Sequence, residues 1–355
     1  MTSNVDRSSV PTLPAHPEAD ATTPRADADH HPAALQEAWS RYWARGAAHS
    51  CVGSYGECYG GAIARFWQDV FGRLPPAARV LDIATGNGAL PRLLLQEGSA
   101  ADAQCDAVDI ARITPPWLSA AAPADRARVR VHGGVDAAAL PFADGCFDLV
   151  VSQYGLEYTD LQRTVPELLR VRAPGGAIAL MLHHAQGRPA SLAAVEIDHL
   201  GWLLRRGGVF DAAAALVEPM VLAATERGRA SLQQHPTANA AREYFNALLD
   251  ELSGRAAAGD GADVLFDART AVMAVLAGAG RDGATHASAA LDLLRDEFSG
   301  AATRLRDLRA HALGADAAQA LHERLAIAID TPVLLGELRE QGHLMGWTIR
   351  APLPR

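Results

Sequence analysis

Short apolar runs alternate with helical stretches between residues 78 and 184, and this alternation constrains the fold more than any other feature. The apolar runs read RVLDIA, AQCDAVDIA, RVRVHGG, CFDLVVSQYG and AIALMLHH, and each predicts a β-strand. Strands that alternate with helices form parallel sheets covered by helices on both faces. Because crossovers between parallel strands are right-handed, we predict an α/β fold with a doubly wound, mostly parallel sheet.

The segments that flank this core predict a different organisation. Residues 1–31 are rich in Pro, Ala, Asp and Thr, so we predict a disordered tail. Residues 32–76 predict an N-terminal helical cover, ahead of a core that spans residues 77–188. Residues 189–330 are rich in Ala and Leu and predict a helical insert. Residues 331–355 predict a return to the core through a last helix, TPVLLGELREQG, and a last strand, HLMGWTIRAPL.

Charge and composition argue against several classes of function. The net charge of −9 repels phosphate backbones, so we expect no nucleic-acid partner. No apolar run approaches the ~20 residues that span a bilayer, and we expect no membrane span. The first residues contain no apolar stretch typical of a secretory signal. The cysteines have no CxxC spacing, which predicts reduced thiols, no metal site and a cytoplasmic protein.

The stretch VLDIATGNGAL predicts a ligand site, because a glycine-rich turn lies between a buried strand and a helix. A nucleoside triphosphate loop needs Gly-Lys-Ser/Thr, which does not follow Gly88. A nicotinamide dinucleotide site needs a small residue where Pro91 stands, and the acid Asp82 would repel a pyrophosphate. A ligand with an ammonium group and no phosphate fits better. The methionine part of S-adenosylmethionine is such a ligand.

Four stretches of the chain together resemble the class I S-adenosylmethionine-dependent methyltransferases. DIATGNG matches their first motif, DAVDIA their second acidic strand end, GGVDAAALPFADGCFDLVVS their third stretch, and LLRVRAPGGAIALML the helix and turn before the fifth strand. The resemblance covers residues 76–184, with a weaker tail from residue 331. It implies a class I methyltransferase-like sheet, with N-terminal helices and a large helical insert, that binds S-adenosylmethionine as its cofactor.

The resemblance also implies which residues hold the cofactor. Asp109 would accept hydrogen bonds from the ribose hydroxyls, and Asp136, beside Ala137, would bond the adenine amino group. Tyr55 and Tyr59 lie in a glycine-rich loop ahead of the first strand, where they would either cover the sulfonium or pack against neighbouring aromatic residues. The remaining cofactor residues that we predict are Asp82, Ala84, Thr85, Gly86, Asn87, Gly88, Ile110, Val135, Ser152 and Gln153.

Four side chains at strand ends are candidate catalytic groups. Methyl transfer from a sulfonium needs a general base only if the acceptor arrives protonated. Tyr154 and Glu157 follow the fourth strand, where many small-molecule members of the family carry a histidine-containing stretch. His183 and His184 end the fifth strand. The alternatives are that the histidines support the insert, that Glu157 is a solvated acid at a helix start, and that Tyr154 packs or covers the cofactor.

Taken together, the sequence predicts S-adenosylmethionine-dependent methyl transfer to a small-molecule acceptor at O, N or C. The insert would be a lid over the cofactor site. The alternative is a non-catalytic S-adenosylmethionine-binding protein whose insert is a partner surface, and the insert could also form a homodimer interface. Arg304, Arg306 and Arg309 are predicted to lie on the solvated face of an insert helix. The aromatic stripe of Trp39, Tyr42 and Trp43 is predicted to be packing.

Overall fold

The computed structural model describes residues 32–47 and 59–352. The predicted disordered tail, Cys51, Tyr55 and Cys58 lie outside the described residues. The strands are β1 (Arg79–Ile83), β2 (Gln104–Asp109), β3 (Val129–Gly133), β4 (Phe147–Gln153), β5 (Arg172–Leu182), β6 (Leu334–Glu340) and β7 (His343–Ala351). The helices outside the insert are α1 (Pro32–Ala44), α2 (Gly61–Phe71), α3 (Ala89–Gln96), α4 (Pro116–Ala120), α5 (Pro123–Arg128), α6 (Leu161–Val171) and α14 (Ala315–Ala328). The insert helices are α7 (Arg188–Leu204), α8 (Val209–Ala214), α9 (Val217–Ala223), α10 (Glu226–Leu232), α11 (Pro236–Ala257), α12 (Asp263–Asp282) and α13 (Ala284–His311).

The strands form a seven-stranded sheet in the order β3-β2-β1-β4-β5-β7-β6. The neighbours from β3 to β5 pair in parallel, and β7 pairs antiparallel with both β5 and β6. This order confirms the predicted doubly wound, mostly parallel fold. The crevice where the strand order reverses lies between β1 and β4, which is where such sheets bind ligands.

Apolar side chains cover both faces of the sheet, which is why the strands read as continuous apolar runs. On one face of the sheet, Trp67 and Phe71 of α2 pack in the same apolar cluster as Val80. On the other face, Leu168 of α6 and Leu325 of α14 belong to a second apolar cluster. Successive residues of a strand point to opposite faces, so each run supplies both layers.

The segment predicted as the last helix is a strand instead. Leu334–Glu340 forms β6, which pairs with β7 through a two-residue turn at Gln341 and Gly342. Both turn residues have positive φ, 49° and 83°, as the tightest hairpin connection requires. Pairing with β7 makes this segment a strand, although its own residue pattern predicts a helix. The helix that precedes β6 is α14, which lies within the range predicted as insert and packs on the sheet.

The insert helices α7 to α13 pack around a cluster of their own that includes Leu203, Phe210, Leu252 and Leu276. The C-terminal half of the long helix α13 leaves this cluster and packs against α1. There the prediction for Arg304 is wrong: Arg306 and Arg309 are exposed, but the Arg304 guanidinium lies 4.2 Å from the centre of the Tyr42 ring. None of the described helices is long and apolar enough to cross a membrane.

Replacing a buried leucine of α14 should show that this helix belongs to the core. Leu325 is fully buried, so Leu325→Ala should lower the free energy of unfolding by about 2–5 kcal/mol. Ile327, two residues away, is 88% exposed, and Ile327→Ala should change the free energy of unfolding by less than about 0.5 kcal/mol. Urea denaturation of both variants measures the difference, and equal effects would contradict the packing described here.

Candidate functional site

The glycine-rich turn between β1 and α3 runs through left-handed backbone conformations, and neighbouring side chains approach its backbone closely. Ala84, Gly86 and Gly88 have φ values of 56°, 55° and 77°. A Cβ at Gly86 would lie 2.5 Å from Cζ2 of Trp43, and a Cβ at Gly88 would lie 3.1 Å from Cζ2 of Trp117. Glycine is therefore required at Gly86 both by conformation and by the close approach of an indole ring.

Asp82, at the end of β1, is a buried carboxyl group without a hydrogen-bond partner of normal geometry among the described residues. Burial raises the pKa of Asp82 to about 8. The nearby Thr85 hydroxyl lowers this pKa in part, although it forms no hydrogen bond of normal geometry, and the charge of Asp109 raises it further. A cation placed beside Asp82 would favour the ionised form.

Asp109 ends β2 and holds the turn in place. Its two carboxyl oxygens accept the backbone N–H groups of Gly86 and Ala111, each at 2.8 Å. Burial raises the pKa of Asp109 to about 6, and these two hydrogen bonds lower it in part. A carboxylate has about four lone-pair sites, so each oxygen can still accept a further bond.

Gln153, at the end of β4, is oriented by its neighbour. Its side-chain carbonyl accepts the indole N–H of Trp67, which leaves its amide NH₂ group as the available donor. That amide nitrogen is buried and has no partner within the described part of the chain. Gln153 is therefore a hydrogen-bond donor whose direction is set by the core.

These groups surround a small cavity of about 40 Å³ at the carboxyl ends of β1 and β4. Pockets that hold small molecules usually measure about 300–1,000 Å³, so this cavity is too small for a ligand of that size. Its unpaired polar atoms suit a zwitterion: the Asp82 carboxyl is an acceptor for an ammonium group, and the Gln153 amide and Thr85 hydroxyl are donors for a carboxylate. The lining residues are Trp39, Trp43, Tyr59, Asp82, Ala84, Thr85, Ala89, Leu90, Gln153 and Tyr154.

The residues predicted to hold the adenosine lie beside this cavity, at the ends of β2 and β3. Ile110 is 46% exposed, and Asp136 is exposed with one carboxyl oxygen accepting the N–H of Ala138 at 2.8 Å. Val135 donates its N–H to the carbonyl of Asp109, and Ala137 is buried. This half of the predicted site is open, whereas the half around Asp82 is covered.

Two predicted cofactor residues have other partners. The Ser152 hydroxyl donates to the carbonyl of Ile83 at 2.8 Å and accepts the N–H of Leu156 at 3.1 Å. The Asn87 amide donates to the carbonyls of Trp43 and Ala47. Ser152 therefore joins β1 to the turn after β4, and Asn87 anchors the end of α1.

Three of the four candidate catalytic residues come together beside the cavity. One Glu157 oxygen accepts both the backbone N–H of His183 at 2.7 Å and its ring Nδ1–H at 2.8 Å. Both side chains are buried, so the alternative that Glu157 is a solvated acid is wrong. His183 Nε2 and the second Glu157 oxygen have no partner among the described residues. The ring of Tyr154, which lines the cavity, stacks on His183 at 4.1 Å.

Tyr154 has a positive φ of 52°, which is rare for a bulky residue and costs of order 1–3 kcal/mol. Its backbone N–H donates to Met181 at 2.7 Å, and its hydroxyl donates to the carbonyl of Met345 at 3.1 Å. These bonds hold the strained residue between the cavity and His183.

His184 lies apart from this group because neighbouring residues of a strand point to opposite faces. Its ring stacks on Trp347 at 4.3 Å, and its Nδ1 accepts the N–H of Gln186 at 2.9 Å. Its Nε2 lies 3.9 Å from Glu337, and burial lowers the pKa of His184. None of these three partners lines the cavity, so the structure separates His184 from the catalytic candidates.

The sequence predicts an N-terminal cover and a lid, but it does not indicate which residues of α1 and of the insert take part. Trp39 and Trp43, predicted to be packing, line the cavity. Asp307 of α13 accepts the indole N–H of Trp39 at 3.1 Å, although 268 residues separate the two in the chain. The aromatic spacing in α1 was a signal for the first two residues, but no local pattern marks Asp307.

The sheet order and the turn geometry agree with a comparison to known protein families. Residues 81–180 match a family model described as "Methyltransferase domain". These residues form a methyltransferase domain. Within its sheet and turn, the domain has the class I arrangement, the type that uses S-adenosylmethionine.

Curated relatives match the methyltransferase domain but not the whole chain. A demethylmenaquinone methyltransferase of Thermus thermophilus is 38% identical over 110 residues, which are 29% of this chain and 46% of the relative. An uncharacterized protein of Mycobacterium tuberculosis is 34% identical over 115 residues, which are 32% of this chain and 39% of the relative. The chain thus spans less than half the length of these relatives.

Solved structures are similar to part of the chain. A geranyl diphosphate methyltransferase is 17% identical, with 46% of this chain and 73% of that chain covered and a TM-score of 0.36. A [4+2]-cyclase is 24% identical, with 35% of this chain and 47% of that chain covered and a TM-score of 0.30.

Because its carboxyl group is buried, Asp82 should make the free energy of unfolding decrease as the pH rises. Between the ordinary pKa of about 3.9 and the folded pKa of about 8, the unfolded chain releases this proton while the folded chain keeps it. Asp82→Asn, which stays neutral, should therefore lose less stability than the wild type between pH 5 and 8. Chemical denaturation across that range measures the slopes. Asp292→Asn, at an exposed position, is the matched control, and equal slopes for wild type and Asp82→Asn would contradict the prediction.

Proposed function

We propose that this protein is a methyltransferase that transfers the methyl group of S-adenosylmethionine to a small-molecule acceptor at O, N or C. The observation that carries the proposal is the set of unpaired polar atoms of Asp82, Thr85 and Gln153 beside the glycine turn of a methyltransferase domain. An unpaired buried polar atom costs about 1–3 kcal/mol, and a ligand that pairs with it removes this cost.

The proposed cofactor mode assigns one role to each end of the site. Asp82 would accept the ammonium group of the methionine part, and Gln153 and Thr85 would donate to its carboxylate. Asp109 would accept bonds from the ribose, and Asp136 would bond the adenine between Ile110 and Ala137. Bound in this way, the cofactor supplies an electrophilic methyl group on a sulfonium whose leaving group is neutral.

The proposed base is His183, with Glu157 as the residue that positions it. Because Nδ1–H donates to Glu157, the lone pair of His183 lies on Nε2, which can take a proton from an acceptor hydroxyl, thiol or carbon acid. The Tyr154 ring stacks on His183, and Tyr154 also lines the cavity. One aromatic residue therefore separates the proposed base from the cavity. Burial of this group excludes water, which favours displacement on carbon over side reactions.

The acceptor that we propose is a flat, partly apolar small molecule. Support comes from the aromatic side chains around the cavity and the base, Trp39, Tyr154 and Tyr158. Proteins named demethylmenaquinone methyltransferase are among the relatives that match part of this chain, and we propose an acceptor of that class. A cytoplasmic location, a homodimer through the insert and the lack of a nucleic-acid partner remain predictions from sequence.

A non-catalytic S-adenosylmethionine-binding protein is the second candidate. The observation in its favour is the small volume of the cavity, about 40 Å³, under Trp39 and Trp43. In such a protein the cofactor site would serve to position α1 and the insert for a partner. Methylation of any acceptor by the purified protein would exclude this candidate.

Calorimetric titration tests the cofactor. S-adenosylmethionine and S-adenosylhomocysteine should bind with micromolar affinity, and NAD should not bind. Asp109→Ala should weaken binding roughly tenfold to a hundredfold, as expected for the loss of hydrogen bonds to a charged group. Asp102→Ala, at an exposed position on the approach to β2, is the control that should bind like the wild type. Absence of binding to both sulfur nucleosides would refute the proposal.

Substitution of the base tests the chemistry once an acceptor is found. For an acceptor that arrives protonated, His183→Gln should lower kcat by about 10²–10⁴ with unchanged affinity for S-adenosylhomocysteine. His343→Gln, at an exposed position in β7, should leave kcat unchanged. A full rate in His183→Gln would show that His183 is not the base.

A further inference from the structure

Helix α1 contacts residues that we propose bind the cofactor. The Trp43 ring lies against Gly86, and the Asn87 amide donates to the carbonyls of Trp43 and Ala47 at 2.8 and 2.7 Å. Near the start of the helix, the Gln36 amide donates to the carbonyl of Ile110 at 2.7 Å. The helix thus contacts the site at the glycine turn and at the residue after Asp109.

This contact closes the covered half of the site. The cavity under α1 measures about 40 Å³, far below the ~300 Å³ of a typical small-molecule pocket. A ligand as large as S-adenosylmethionine cannot lie on the turn while the Trp43 ring is packed against Gly86. Helix α1 must therefore move before the cofactor can bind.

Helix α1 is also held by one face of α13. Asp307, which is buried, accepts the indole N–H of Trp39 at 3.1 Å, and the Arg304 guanidinium lies 4.2 Å from the centre of the Tyr42 ring. About two helical turns before Arg304, Glu297 pairs with Arg45 at 2.6 Å. Glu297, Arg304 and Asp307 are seven and three residues apart, which places them on the same face of the helix.

Asp307 has a second partner on the side of the proposed base. Its other carboxyl oxygen lies 3.0 Å from Nδ1 of His311. The His311 ring contacts Tyr158 at 5.4 Å between ring centres, and Tyr158 contacts both His183 at 5.8 Å and Trp39 at 5.9 Å. One carboxylate of the insert therefore links the cover of the cofactor site to the surroundings of His183.

We propose that Asp307 latches α1 over the cofactor site, so that release of the Asp307–Trp39 contact limits the rate at which the nucleoside binds. The insert then controls access to the cofactor, and Asp307 is a positioning residue that touches neither cofactor nor acceptor. This inference rests on the proposed function for the identity of the ligand. The contact itself does not depend on that identity.

Two variants remove the latch from opposite sides. Asp307→Leu keeps the approximate size of the side chain and removes both oxygens that face Trp39 and His311. Trp39→Phe keeps an aromatic ring and removes the indole N–H. Asp292→Leu makes the same chemical change at an exposed position of α13 and is the matched control.

Hydrogen exchange of the ligand-free protein measures the hold on α1. Amides of residues 36–44 should exchange roughly tenfold faster in both latch variants, and amides of β4 and β5 should be unchanged, which shows that the core is folded. The double variant should exchange no faster than the faster single variant, because both changes remove one shared contact. Unchanged exchange in α1 would overturn the proposal.

Stopped-flow fluorescence with S-adenosylhomocysteine measures access, with Trp43 and Trp117 as reporters beside the turn. The association rate should rise roughly tenfold in both latch variants and stay at the wild-type value in Asp292→Leu. Faster exchange with an unchanged association rate would also overturn the proposal. If the wild type binds no S-adenosylhomocysteine, the proposed function fails, while the exchange comparison still decides whether Asp307 holds α1.

Discussion

Parallel hydrogen bonding of β1 to the strands on both of its sides brings together the strand-end groups on which the rest of the site is built. The register sets Asp82 beside Ala107 of β2 and Val151 of β4. Because these strands run in the same direction, their carboxyl ends meet at one edge of the sheet, where the glycine turn, Asp109 and Gln153 follow. A change of register by one residue would turn Asp82 to the opposite face, so the chemistry of the site depends on this pairing.

The same edge concentrates polar groups in an apolar setting. Asp82, Glu157 and His183 are buried, and each has at least one side-chain atom without a partner in the described part of the chain. Each such atom costs about 1–3 kcal/mol, and the strained backbone of Tyr154 adds to this. The apolar layers on both faces of the sheet offset these costs. Groups kept at such a cost suit a ligand that pairs with them.

Three separate parts of the chain build the surroundings of the cavity. The core supplies Asp82 and Gln153, the N-terminal cover supplies Trp39 and Trp43, and the insert supplies the carboxylate that holds the cover. The insert also has a core of its own, so it can present α13 as a firm surface. An insert that contacts the cover differs from a lid that only encloses a ligand. Through Asp307, the insert links α1 to the surroundings of His183.

Local patterns in the sequence determined the sheet, its parallel strands and the glycine turn, because burial on both faces produces continuous apolar runs and because left-handed backbone selects glycine. They also indicated Asp82, Asp109, Gln153 and Tyr154, which lie at strand ends. They failed for β6, whose residues take up a strand only because β7 pairs with it through a tight turn. They could not separate His183 from His184, since adjacent strand residues differ only in the face that the sheet gives them. The contact between Trp39 and Asp307 was decided by tertiary structure alone, because helices far apart in the chain meet through packing that no local pattern records.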